Sequence, residues 1–188
     1  MKFDSADFNS LATNGNLQEV ITHEMMHVVG FGSFWDSSFK NLLINDSTPL
    51  TSSTAAYIGA GGIAGCKALG AVVTCANSVP VEGTQGGAGT LYSHWRESTF
   101  GNELMTGFLN SGTNPLTVMS IRSLEDLNYT VNPAAADPYT LPAGVSLRAS
   151  FRAEDISATP TPGEWERPFP RAPRALPTVG ATQNLRSN

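Results

Sequence analysis

The sequence has few charged residues and no long apolar run. Asp, Glu, Lys and Arg make up only 14% of its 188 residues, and sixteen acidic against eleven basic residues give a net charge of −5. A chain of this sign has no electrostatic attraction to nucleic acid or anionic lipid, so we expect neither as a partner. Apolar runs such as residues 71–74 fall far short of the roughly 20 residues of a membrane helix, and we expect no membrane span.

Cysteine is equally scarce, since Cys66 and Cys75 are the two that the sequence contains. Two cysteines are too few for a disulfide framework, and their spacing fits no CxxC metal or redox pattern. They could close one small loop as a disulfide, which would place folding outside the reducing cytosol. Two free buried thiols are the alternative.

The apolar residues that are present, 40% of the chain, are enough for one domain of ordinary size. We assign this domain to residues 1–157. Residues 158–188 hold six of the twelve prolines, a density that disfavours both helix and sheet and predicts an extended tail or linker.

The clearest helix signal covers residues 17–29. Asn16 is a candidate cap, Glu19 stands at the capping-box position, and Gly30 supplies a stop. The apolar residues that fall on one arc at helical spacing, and that we therefore expect to face the core, are Leu17, Val20, Ile21, Met25 and Val28.

A long insertion rich in Gly, Ser and Thr follows, from residue 30 to 93, and nine of the eighteen glycines fall between Gly59 and Gly89. Such a composition predicts short strand-like pieces at best, at 71–75 and 79–81, joined by glycine turns. A second helix is predicted for 115–127 with Thr117 as its cap. The fold class expected from these elements is α+β.

The segment whose side chains could bind a metal and support catalysis is His23-Glu24-Met25-Met26-His27. On a helix, His23 and His27 are one turn and about 40° apart, so two imidazole nitrogens can reach one ion. Glu24 points about 60° away from His27, where it can contact a water held by that ion. This arrangement suits a zinc hydrolase, although two partly exposed histidines on a surface helix would produce the same five letters.

Three further residues favour a metal site. Gly30 lets the chain leave the helix in a left-handed turn. His94 is the third and last histidine, so the number of histidines in the sequence equals the three protein ligands of a catalytic zinc. Met105, followed by Gly107, could form an apolar floor beneath the histidines. Three imidazoles would also accept cobalt, nickel or copper.

The stretches HEMMHVVGFGSFWD, SHWRESTFGNELMTG and SIRSLEDLNYTVN resemble the leishmanolysin-like zinc metallopeptidases, a branch of the metzincins. The resemblance covers about residues 3–142. It implies a metzincin-like fold, a Zn²⁺ cofactor, a peptide or protein substrate, and a secreted or cell-surface location. Only about fifteen residues precede the helix. We therefore expect the C-terminal part of the catalytic domain, with the N-terminal sheet largely missing.

The resemblance also implies roles for single residues. Standard metzincins carry the third histidine in HExxHxxGxxH, where Ser33 stands here. In the leishmanolysin branch that histidine follows a long insertion, which matches His94, and Met105 matches the methionine of the Met-turn. His23, His27 and His94 would then hold zinc while Glu24 acts as the base in peptide hydrolysis.

A catalytically impaired, secreted binding module with a structural zinc site is the competing interpretation. The expected absence of the sheet favours it, and retention of Glu24 opposes it, because a structural site has no need of a base. Arg96, Glu97 and Glu103 are candidates for supporting roles around the site, and surface ion pairs would explain them as well. Trp35 and Trp95 are more typical of a core than of a substrate platform.

Overall fold

The computed structural model describes residues 9, 11–45 and 52–143. Its helices are α1 (Leu17–Val28), α2 (Ala60–Ala68), α3 (Glu97–Phe100) and α4 (Val118–Ser123), with 3-10 turns at Gly87–Gly89, Leu124–Leu127 and Pro133–Ala135. Its strands are β1 (Leu43–Ile44), β2 (Ala56–Tyr57) and β3 (Val79–Pro80). This mixture of helices and one small sheet is compatible with the predicted α+β class. The proposed tail at 158–188 lies outside the described residues, so the division into domains stays a prediction.

The sheet is antiparallel in the order β1-β2-β3, with Leu43 opposite Tyr57 and Ala56 opposite Pro80. Two isolated bridges continue from it, joining Val81 to Trp95 and Trp95 to Thr106. Every strand in the described residues follows α1 in the chain. In the part of the chain that the structure describes, no helix has the length and apolar character needed to cross a membrane.

An aromatic cluster forms the centre of the core. Each ring contacts a neighbour at a centroid distance of 4.5–6.5 Å, and the members, all fully buried, are Phe31, Trp35, Tyr57, Trp95 and Phe100. Both tryptophans therefore belong to the core, as their type suggested. Trp95 directly follows His94 in the chain, so the burial of its ring anchors the main chain of that histidine.

Helix α1 forms where it was predicted, but its buried face shares only Val20 with the predicted apolar arc. Ile21, Met25 and Val28 are 36%, 50% and 60% exposed. The residues that face the interior are Val20, His23, Met26 and His27. The reason is that both histidines are drawn into the interior by bonds to other segments, and this rotates the apolar arc outward.

The predicted capping box at the start of α1 is wrong. Asn16 occupies the cap position without a side-chain capping bond. The Glu19 carboxylate instead accepts hydrogen bonds from the main-chain N–H and the side-chain amide of Asn114, at 3.0 and 2.9 Å. Glu19 thus fixes a distant loop against the helix, a contact between residues 95 positions apart.

The glycine-rich insertion contains a nine-residue helix, α2, where strand-like pieces at best were expected. Its glycines permit a very close approach to α4: a Cβ on Gly65 would lie 2.6 Å from Met119 Cα, and one on Gly61 would lie 2.2 Å from the Arg122 carbonyl oxygen. Backbone-to-backbone packing of two helices compensates for the poor helix propensity of glycine. That compensation cannot be seen in composition.

The segment 71–75 is a turn rather than a strand, with the Cys75 N–H donating to the Ala71 carbonyl. A disulfide between Cys66 and Cys75 ties this turn to the end of α2. The other predicted piece, 79–81, does lie in the sheet, as β3 and the bridge at Val81.

The second predicted helix is shorter than expected, because α4 begins at Val118 and changes to a 3-10 turn at Leu124. Thr117 stands at its cap position, but the hydroxyl donates to the Glu103 carboxylate at 2.9 Å instead of capping the helix. Asn128 closes the 3-10 turn in the left-handed region, with φ of 72°, a conformation that asparagine tolerates.

Candidate metal centre

Three histidine rings meet in the interior. His23 and His27 come from α1, and His94 comes from the segment that bridges the small sheet. Their Nε2 atoms are separated by 3.0 Å (His27 to His23), 3.0 Å (His27 to His94) and 3.2 Å (His23 to His94). All three residues are buried. The structure therefore brings together the pair on the helix and the histidine about seventy residues away.

The other ring nitrogen of each histidine faces a main-chain carbonyl. Nδ1 lies 2.7 Å from the Leu104 oxygen in His23, 2.9 Å from the Phe31 oxygen in His27, and 3.0 Å from the Thr90 oxygen in His94. Because a carbonyl only accepts, each Nδ1 carries the proton and each Nε2 presents its lone pair to the centre. This tautomer is the one that a metal-binding histidine requires.

Electrostatics at the centre disfavour protons and favour a cation. Burial holds the pKa of His23 well below its usual range, and the neighbouring imidazoles of His94 and His27 lower that pKa further. Three lone pairs that converge within 3.2 Å repel one another unless a positive charge lies between them. The donor set therefore suits a metal ion.

The dimensions also fit zinc. A point equidistant from three atoms at these separations lies about 1.8 Å from each of them. Zinc–imidazole bonds measure about 2.0–2.1 Å, so these separations are short enough for His23, His27 and His94 to hold one zinc ion together. In the described residues these histidines form the group whose ligand atoms could hold a metal.

Two glycines shape the exit from α1. Gly30 has φ of +111°, and a Cβ there would lie 2.7 Å from Phe34 Cδ2, so the turn requires glycine, as the sequence suggested. Gly32, which sequence reasoning missed, has φ of +69°, and its Cβ would lie 2.2 Å from the Ser93 carbonyl oxygen. This close approach joins the end of the helix to the neighbour of His94.

Ser33 stands where a standard metzincin carries its third histidine, and here its side chain forms a hydrogen bond at the end of α1. Its Oγ donates to the carbonyl of His27 at 2.9 Å. The His27 carbonyl, at the end of α1, also accepts from the Gly30 N–H at 3.1 Å, so the Ser33 hydroxyl adds a second donor at the helix end.

Glu24 lies on α1 beside His23 and is partly buried. Burial raises the pKa of its carboxyl group from 4.5 to about 7. A carboxylate whose pKa lies near neutrality is suited to take and return protons.

Met105 is fully buried in the core. Its carbonyl accepts from the Trp95 N–H at 3.0 Å, while its own N–H donates to the Glu103 carboxylate at 2.6 Å. Met105 is therefore bonded to Trp95, which follows His94 in the chain. Met105 also directly follows Leu104, whose carbonyl accepts from the His23 ring. Gly107 continues this turn, and a Cβ on it would lie 2.0 Å from Thr90 Cγ2.

The charged residues after His94 are engaged in hydrogen bonds with main-chain and side-chain groups of the protein. Arg96 donates to the carbonyls of Val81 and Ala55. Glu97 accepts from the Asn110 amide. Glu103 is fully buried and accepts four hydrogen bonds.

Neither the curated proteins nor the solved structures include a match to this chain. The Leishmanolysin family matches residues 1–151, which include all three histidines and Met105. Because this match covers most of the 188 residues, the chain belongs to the leishmanolysin family of metallopeptidases.

Proposed function

We propose that this chain is a zinc-dependent endopeptidase of the metzincin type, with Glu24 as its general base. The observation that carries the proposal is the meeting of three Nε2 lone pairs within 3.2 Å, together with Glu24, which directly follows His23 in α1. Three protein ligands leave one coordination position for water or substrate, which distinguishes a catalytic zinc from a structural one.

The roles follow from the side chains. His23, His27 and His94 would hold the zinc, which when bound lowers the pKa of water to about 7 and polarises a carbonyl group. Glu24 accepts the proton of the attacking water on a carboxylate oxygen. It then donates that proton to the amine released from the cleaved peptide bond. Burial raises the pKa of the Glu24 carboxyl group, and this shift towards neutrality favours a group that must both accept and return a proton.

A peptide or protein substrate follows from this chemistry, and we infer an extracellular setting, secreted or at the cell surface. The disulfide between Cys66 and Cys75 supports that setting, because such bonds persist in oxidising compartments and are rare in the cytosol.

The test compares the purified wild-type chain with Glu24→Gln. We expect both proteins to bind one zinc, and we expect the variant to hydrolyse casein at least about a hundredfold more slowly, since general acid–base catalysis typically contributes a factor of 10² to 10⁴. Glu125→Gln is the matched control: Glu125 pairs with Arg122 at the surface, so its loss should leave hydrolysis unchanged.

Metal analysis of protein purified without added ions checks the choice of zinc over cobalt, nickel or copper. If the wild type binds one zinc and cleaves neither casein nor a peptide library, the peptidase proposal is wrong for this chain. The binding module with a structural zinc would then be the better interpretation.

A further inference from the structure

Glu103 is a buried carboxylate that the peptidase mechanism does not use. It lies in the turn between His94 and α4, and it is completely removed from solvent. Burial raises the pKa of its carboxyl group above the ordinary value, and the donors on Ser120, Met105 and Thr117 offset this rise only in part. An acid in such a place requires a reason, because a buried carboxylate is costly unless its oxygens are well satisfied.

Both oxygens of Glu103 are satisfied by donors. Oε1 accepts from the Thr117 N–H at 3.2 Å, from the Thr117 hydroxyl at 2.9 Å and from the Ser120 hydroxyl. Oε2 accepts from the Met105 N–H at 2.6 Å. Ser120 in turn accepts from the Trp95 indole N–H at 2.8 Å. Since every partner donates, the arrangement suits the ionised form of Glu103.

The Met105 N–H belongs to the same peptide group as the Leu104 carbonyl. That carbonyl accepts from Nδ1 of His23 at 2.7 Å. The bonds therefore run in one line, from the Glu103 carboxylate through a single peptide group to the ring of His23. Hydrogen bonds in such a chain polarise one another, so a carboxylate at the N–H end makes the carbonyl a stronger acceptor.

We propose that Glu103 is a positioning residue for the metal site, acting on His23 through the Leu104–Met105 peptide group. It orients the ring and strengthens Nε2 as an electron donor. In many metal sites a carboxylate bonds directly to the histidine that holds the metal; here one peptide group is inserted between the two. The proposal rests on the proposed function only in that His23 holds a metal.

The other two histidines provide an internal comparison. His27 and His94 also donate to carbonyls, at 2.9 and 3.0 Å. The bond of His23 is the shortest of the three, at 2.7 Å. The Phe31 and Thr90 carbonyls also accept from the N–H groups of Ser33 and Ser93, whereas the Leu104 carbonyl belongs to a peptide group bonded to a carboxylate, and both differences agree with this order.

Glu103→Gln is the decisive substitution because it keeps the size of the side chain and removes the charge. In either orientation, the amide NH₂ of glutamine would face a main-chain N–H, that of Met105 or that of Thr117. The line of bonds is therefore broken or weakened. We expect zinc affinity, measured by competition with a chelating dye, to fall about tenfold or more.

Thr117→Val is the matched control. It removes one hydroxyl donor to Oε1 but leaves the charge of Glu103 and its bond to Met105 in place. Both variants should unfold at lower urea concentration than the wild type, and only Glu103→Gln should lose zinc affinity. Equal zinc affinity in Glu103→Gln and the wild type would overturn the proposal and leave Glu103 a purely structural role.

A measurement on the wild type covers the case in which Glu103→Gln does not fold. In the zinc-loaded full chain, proton NMR of ¹⁵N-labelled protein resolves the Nδ1–H of each histidine and the Met105 amide. We expect the His23 Nδ1–H to be the furthest downfield of the three ring protons and the Met105 amide to be strongly downfield. An ordinary shift for either proton would refute the relay. Neither readout requires peptidase activity, so failure of the proposed function would be seen separately.

Discussion

Gly107→Ala tests how closely the turn around Met105 is fitted to the metal site. The added Cβ would lie 2.0 Å from Thr90 Cγ2, but 3.4 and 3.6 Å from Thr90 Cβ and Oγ1. One methyl group thus causes the whole conflict. Thr90 is fully buried, and its carbonyl accepts the hydrogen bond from His94 Nδ1. Movement of Thr90 away from residue 107 should therefore also displace the third histidine.

The expected magnitudes follow from the same contact. Overpacking of this kind costs about 1–3 kcal/mol of unfolding free energy. A branched side chain such as threonine has little rotamer freedom with which to escape. Thr90→Ser alone removes one buried methyl group, which costs about 1 kcal/mol. In the double variant, the Cβ added at position 107 takes the space that the Thr90 methyl group leaves. We therefore expect the unfolding free energy of the double variant to be close to that of Thr90→Ser.

The assay is a double-mutant cycle of urea unfolding on the metal-free proteins, together with zinc affinity for each. The coupling between the two positions should amount to about 1–3 kcal/mol in favour of the double variant. Gly107→Ala alone should bind zinc about tenfold more weakly, and the second substitution should restore the affinity. Simple additivity of the two changes would refute the steric reasoning.

Three further predictions concern Glu24 and the disulfide. If Glu24 is the base, kcat/KM for a peptide should fall as the pH is lowered, with an apparent pKa at or below about 7. The value can lie below 7 because a bound cation lowers the pKa of a nearby carboxyl group. A flat profile between about pH 5 and about pH 8 would contradict this role. In the metal-free protein the raised pKa means that the folded state binds more protons than the unfolded state between pH 4.5 and about 7. Urea unfolding should therefore show the wild type losing stability relative to Glu24→Gln as the pH rises through that interval, and a constant difference would speak against the shift. The double substitution Cys66→Ala, Cys75→Ala removes a bond between positions nine apart in the chain and should lower the unfolding free energy by about 2–3 kcal/mol in the same assay, whereas an unchanged midpoint would show that the bond contributes little.

Local geometry explains what sequence reasoning located well. Residues four apart on a helix lie on one side of it, so the spacing of His23 and His27 was enough to predict that their rings approach each other. The position of α1 and the need for glycine at residue 30 are likewise short-range properties. The pairing of Cys66 with Cys75 was one of two options that a nine-residue separation left open.

Errors arose where contacts over a long separation outweighed local preference. The apolar arc of α1 predicted one buried face, but bonds from His23 to Leu104 and from Glu19 to Asn114 turn another face inward. Helix α2 was missed because glycine is a poor helix former. Its glycines are used for close packing against α4, a partner more than fifty positions further along the chain.

The sequence by itself determined the chemistry: three imidazoles, one carboxylate beside them, and a helix that presents two of the rings at the right spacing. These follow from residue identity and from distances of a few positions. Tertiary structure alone decided how the segment of His94 reaches the pair on α1, that three carbonyls face the Nδ1 atoms, and that the buried Glu103 is bonded through one peptide group to His23. The physical reason is that each of these depends on the meeting of segments tens of residues apart, which no local periodicity encodes.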